Sequence, residues 1–286
     1  VRKRTLLLLA VGAAGLAAIA VLRRSLETKL LFPGSATQGR ADSVIEPGGG
    51  FELVTLRSRD GTRLVAVFGA AIGRGGRPAA NAAAAPTVLF FYGNGSCAEQ
   101  MVEEFIRFRQ MGANCMIPDY PGYGMSGGRP SEEGFYEAAD AAYDYLMQRP
   151  GINPDRIAVA GWSMGAAVAI DLASRRKVLA LETISAFTTL PQVAHTVTPW
   201  LPVSLVLRSK FDNLSKIPGI TCPVVIVHGA LDRVVPPEMA GQLAAAAQGV
   251  AILHMITGAG HNDVFTVGGD ALWRDLREPL FPRPLR

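Results

Sequence analysis

Short apolar runs alternate with segments of helical spacing along most of this chain. Thr87–Tyr92 (TVLFFY) is apolar without polar alternation, as expected of a strand in a sheet covered on both faces. Ala113–Pro118, Ile157–Ala160, Val178–Ile184, Val224–Val227 and Ala251–Ile256 also read as strands. Between them, helical pattern runs up to Met111, from Ser131 with Glu132 and Glu133 in the first turn to Gln148, onward from Met164, and over Pro237–Ala247. Such alternation predicts a mostly parallel sheet with right-handed crossovers and helices on both faces. Ahead of it, Phe51–Arg57 and Thr62–Phe68 form a hairpin signal around Asp60-Gly61. Leu30–Gly50 is turn-rich and reads as a connector, Gly73–Pro86 as an Ala/Gly-rich exposed loop, and Phe187–Ile217 as an irregular insertion.

The first thirty positions differ from the rest. Thr5–Leu22 is an uncharged run of 18 residues, which as a helix spans about 27 Å and matches a hydrocarbon core of about 30 Å. Arg2-Lys3-Arg4 and Arg23-Arg24 flank it and leave its orientation open. The expectation is a single-pass anchor over residues 1–29 followed by one domain over 30–286. A cleaved signal peptide ending at Ala18-Ile19-Ala20 is the alternative, making the protein secreted or periplasmic; a buried core helix is the third reading. The net charge of +4 has the same origin: six of 28 basic residues but one of 24 acidic ones lie in this stretch, leaving 22 against 23 beyond it. A near-neutral domain gives no reason to expect a nucleic-acid partner. Three cysteines without C-x-x-C or Cys/His spacing indicate neither a disulfide framework nor a metal site.

With 286 residues, 49% of them hydrophobic, the chain can bury a core large enough to support loop chemistry. Its centre is RIAVAGWSMGAAVAIDLASRR, where Gly161-Trp162-Ser163-Met164-Gly165 lies between strand and helix. G-x-S-x-G in that setting is the nucleophile-elbow pattern, a turn whose flanking positions have room only for hydrogen. Ser163 is the candidate nucleophile, and the N–H of Met164 points where an oxyanion would form. Asp232 and His261 each follow a later strand, so Ser, acid and His come in the order of the α/β-hydrolase arrangement. A serine hydroxyl needs a base, His261, and the base needs a carboxylate, Asp232, to fix its tautomer and stabilise the imidazolium. Asp119 is the alternative acid, in a setting that looks like a turn. His195 lies in the insertion and His254 in a strand, while His228 suggests a satisfied structural hydrogen bond.

FFYGNG, DYPGYGMSGGRPSEEGFYEAADAAYDYL, GWSMG, SAFTTL, LRSKFDNLSKI, CPVVIVHGALDRVVPP and GAGHND together resemble the membrane-anchored α/β-hydrolases of the Bem/ABHD type, also labelled serine aminopeptidase-like. The resemblance covers Leu30 to the final helix. It implies an α/β-hydrolase fold with a small cap at about 187–217, a triad of Ser163, Asp232 and His261, and Asn94 as the second oxyanion donor beside Met164. It departs at Tyr92-Gly93, where the family commonly has His-Gly. The function it implies is serine-dependent hydrolysis of carboxyl esters or thioesters through an acyl-enzyme, on a small-molecule or acylated substrate, with no cofactor or metal. A serine aminopeptidase is one alternative, although no acidic patch for a substrate amino group is evident. A non-catalytic binding protein on a hydrolase fold is the other.

Overall fold

The computed structural model describes residues 31–281 apart from 47, 49, 198, 199 and 201–206. The apolar run expected to anchor the chain therefore lies outside the described residues, as do the alternative cleavage site and the middle of the insertion. Among the described residues no helix is long and apolar enough to cross a membrane.

Among the described residues eight strands form the sheet: β1 Phe51–Arg57, β2 Arg63–Gly69, β3 Thr87–Phe91, β4 Asn114–Pro118, β5 Ile157–Trp162, β6 Leu181–Ile184, β7 Val224–Gly229 and β8 Ala251–Ile256. Their order is β1-β2-β4-β3-β5-β6-β7-β8. β1 and β2 form the expected hairpin and β2 meets β4 antiparallel, while every pairing from β4 through β8 is parallel. The chain runs outward from β3 to β4 and returns on the other side of β3 to β5. That reversal opens a crevice beyond the carboxyl ends of β3 and β5, where open α/β sheets hold their ligands.

Helices cover both faces. α1 Val102–Gln110 packs against β4, and α7 Val264–Arg277, broken at Gly269, packs on β7 and β8. They meet where the Phe108 and Trp273 rings stand edge-to-face at 5.2 Å. On the opposite face lie α2 Glu132–Gln148, α3 Met164–Arg175 and α6 Pro237–Ala246. Ser131 caps α2 as expected, its hydroxyl accepting from Gly134 N–H at 3.0 Å, a bond worth about 1 kcal/mol. α3 is buried continuously from Met164 to Ala173; its Gly and Ala residues let its backbone press closely onto β3, β5 and β6.

Two segments are more ordered than their sequence suggests. Gly34 and Phe32 of the turn-rich connector are buried, the Phe32 ring 5.3 Å from Phe135, and Gln38 donates to the carbonyl of Ser126 at 2.9 Å. The connector is thus a wall of the domain rather than a spacer. The insertion holds α4 Leu190–Val197 and the short α5 Asn213–Lys216. Its returning arm is fastened by Glu132, whose carboxylate accepts from the N–H groups of Lys210 (2.6 Å) and Phe211 (2.9 Å).

Candidate active site

Ser163 sits between the end of β5 and the start of α3 with φ 55° and ψ −116°, a conformation that a non-glycine residue adopts only when its surroundings enforce it. The enforcement is steric. A β-carbon on Gly161 would overlap the carbonyl of Gly165, and one on Gly165 would overlap that of Phe91. The turn is held open by Ser163 N–H donating to Ile184 O at 2.8 Å and by Ala166 N–H donating to Ser163 O at 3.0 Å.

The acid and base loops are sewn together by their backbones. Ala230 N–H donates to Ile256 O at 3.0 Å and Leu231 N–H to Ala259 O at 2.8 Å, while a β-carbon on Gly229 would come within 2.6 Å of the Ala259 oxygen. The result brings the three predicted side chains into one line. His261 Nε2 lies 2.9 Å from Ser163 Oγ, and His261 Nδ1 lies 2.7 Å from Asp232 Oδ2. The other carboxylate oxygen, Oδ1, accepts from Val234 and Val235 N–H, both at 2.8 Å. Burial works against ionising Asp232, but hydrogen bonds from His228, His261 and Val235 outweigh it and hold the carboxyl well below the usual range. An ionised acid next to Nδ1 requires the hydrogen there, leaving Nε2 as the acceptor for the serine proton.

Met164 opens α3, so its N–H has no partner within the helix. Asn94 lies just beyond β3, and both ends of its side-chain amide are engaged: the nitrogen donates to Leu31 O and the oxygen accepts from Tyr123 OH at 2.8 Å. Among the described residues the backbone N–H groups of Met164 and Asn94 meet no acceptor. The overlap that bars a side chain from Gly165 shows how tightly these two backbone segments abut.

Asp119 is not part of this arrangement. It is buried in the turn after β4, accepting from Ala98 and Met125 N–H (2.8 Å each) and from Tyr92 OH (3.0 Å). Burial pushes its carboxyl up to about 6 despite those bonds. Tyr92, which replaces the histidine usual in the resembled family, therefore ties the Asn94 loop to the Asp119 turn; its oxygen also accepts from Tyr120 N–H at 3.2 Å. His195 is exposed on α4, and His254 pairs with Asp275 at 3.2 Å. His228 does make a structural bond, to Val235 O at 3.0 Å, but its Nε2 is also 3.3 Å from Asp232 Oδ2. Trp162, between the two elbow glycines, packs its ring 5.9 Å from that of His261. Its place in the motif gave no sign of this. Among the described residues no three His, Cys, Asp or Glu side chains are grouped so as to hold a metal ion.

This architecture has relatives. The chain is 32% identical over 253 residues, 87% of its length and 86% of theirs, to the uncharacterized protein Rv2307c of Mycobacterium tuberculosis. It is 35% identical over 183 residues to the alpha/beta hydrolase domain-containing protein 17B of Xenopus laevis, covering 64% of this chain and 62% of that one. The Pyrococcus furiosus esterase Pf2001 superposes with a TM-score of 0.65 at 21% identity, over 80% of this chain and 91% of that one, a likeness of fold. Residues 91–205, from the end of β3 through the elbow into the insertion, match the model of the alpha/beta hydrolase family, and the fold is that of an alpha/beta hydrolase.

Proposed function

We propose that this protein is a serine hydrolase that cleaves carboxyl esters or thioesters through an acyl-enzyme. The observation carrying the proposal is the continuous hydrogen-bonded line from Ser163 Oγ through His261 to Asp232. Ser163 attacks the acyl carbon as His261 Nε2 takes its proton; the carbonyl π pair moves onto oxygen, and the N–H groups of Met164 and Asn94 receive that charge. Collapse of the adduct expels the alcohol or thiol, which takes the proton from His261. Water then repeats the sequence, giving the free acid and restoring Ser163. Asp232 stays ionised throughout and stabilises the imidazolium. The name of the Pyrococcus furiosus neighbour, an esterase, supports this choice of reaction.

We place the substrate at a membrane, with residues 5–22 as the anchor, because an uncharged run of that length flanked by basic residues suits a bilayer. The reaction is tested with p-nitrophenyl esters and thioesters of increasing acyl length on the full chain. Turnover by the wild type that vanishes in Ser163→Ala supports the proposal; equal turnover by both refutes it.

A further inference from the structure

His228 occupies a position that the reaction scheme above does not use. It is completely buried near the end of β7. Its Nε2 stands 3.0 Å from the carbonyl oxygen of Val235, and a carbonyl can only accept, so Nε2 carries the hydrogen. Nδ1 is buried and has no partner among the described residues; the tautomer with hydrogen on Nε2 alone therefore leaves no buried donor unpaired. The same Nε2 is 3.3 Å from Asp232 Oδ2, the oxygen that faces His261 Nδ1 at 2.7 Å. Its hydrogen is thus shared between Val235 O and the acid.

The arrangement follows from the sequence His228-Gly229-Ala230-Leu231-Asp232. Gly229 lets the chain turn against the Ala259-Gly260 backbone, and the loop returns Asp232 over the ring that began it. Of the two carboxylate oxygens, Oδ1 is pinned by backbone. Oδ2 is the one that must align with His261, and His228 is the other side chain holding it.

We propose that His228 is a positioning residue, fixing Asp232 Oδ2 so that His261 presents Nε2 to Ser163. The proposal rests on the hydrolase reading. A histidine that only closed the loop through Val235 O would affect stability and leave the rate per folded molecule unchanged.

The test compares His228→Gln, whose amide nitrogen reaches the place of Nε2, with His228→Asn, whose amide is too short, and with His228→Leu. All are made in the full chain, with active molecules counted by fluorophosphonate labelling. Loss of one hydrogen bond to a charged group is expected to lower kcat about 10-fold in the Leu and Asn variants, with KM within about two-fold. The Gln variant should recover to within about three-fold of wild type. If the Leu variant does not fold, the two polar variants carry the comparison. Unchanged kcat per labelled site in the Asn variant, or a Gln variant as slow as the Asn one, overturns the proposal. Proton NMR of the His261 Nδ1–H signal reads the same relation without turnover. A signal displaced by Asn and restored by Gln supports positioning even if the wild type hydrolyses no ester, whereas a signal unmoved by Asn refutes it.

Discussion

Gly165 lies so close to the carbonyl oxygen of Phe91 that a single methyl group on it would overlap that oxygen. This contact locks the first turn of α3 against the end of β3 and so sets the Met164 N–H beside the Asn94 loop. Gly165→Ala is expected to push the two segments apart, at a stability cost of about 1–3 kcal/mol and with loss of ester turnover. Thermal unfolding and an activity assay on the same sample check both. An Ala variant with wild-type turnover would remove the elbow from the account.

Two buried aspartates separate the acid from the turn. Asp232→Asn should leave the fold intact and lower kcat by roughly 10⁴, since an amide cannot hold the required His261 tautomer. Asp119→Asn can keep an oxygen for Ala98 and Tyr92 but then sets its NH₂ against the Met125 N–H, and should cost about 2 kcal/mol of stability while keeping reactivity at Ser163. Reversal of these two outcomes would assign the acid to Asp119.

Glu182, in the middle of β6, is completely buried with neither carboxyl oxygen partnered among the described residues. Burial raises its pKa well above the ordinary value. A folded-state pKa above the unfolded one means that, above about pH 4.3, the unfolded chain releases a proton that the folded chain retains. Stability then falls as pH rises until the folded group ionises. Glu182→Met is therefore expected to be more stable than wild type at pH 7.5, its advantage growing by about 1 kcal/mol per pH unit from pH 5 upward. Urea unfolding of both proteins across that range decides it; parallel pH dependences would mean that Glu182 has a partner.

The strands, the elbow and the order of Ser163, Asp232 and His261 were legible because each rests on local chemistry: apolar runs, glycines at fixed offsets, and loops placed at strand ends. What escaped was set by distant partners. Phe32 looks like part of a linker until Phe135 is beside it. His228 looks like a strand-end histidine until the loop folds Asp232 back onto it. Glu182 reads as one residue of a short strand, and only the assembled sheet shows that its carboxyl has been taken from water. α4 lay in a segment whose proline-rich continuation obscured its helical spacing.

The docking of the connector sets where the chain can be shortened. Deleting residues 1–30 should yield an active domain released from membranes, because Leu31 still accepts from Asn94 and Phe32 still packs on Phe135. Deleting residues 1–40 removes both supports and should lower stability by about 2–3 kcal/mol together with activity. Fractionation after carbonate washing, with activity assays of the two truncations, tests this. A mature N-terminus at Val21 in cell-derived protein would replace the anchor with a cleaved signal.

The central claim is that the Ser163–His261–Asp232 line makes Ser163 a nucleophile, and a fluorophosphonate probes it most directly because it needs no knowledge of the substrate. Treatment of the full chain followed by peptide mass spectrometry should place one phosphonyl adduct on Ser163. Labelling should be abolished in Ser163→Ala and slowed by orders of magnitude in His261→Ala, as expected when triad members act as a unit. An unlabelled wild type, or an adduct formed equally well in Ser163→Ala, would contradict the account.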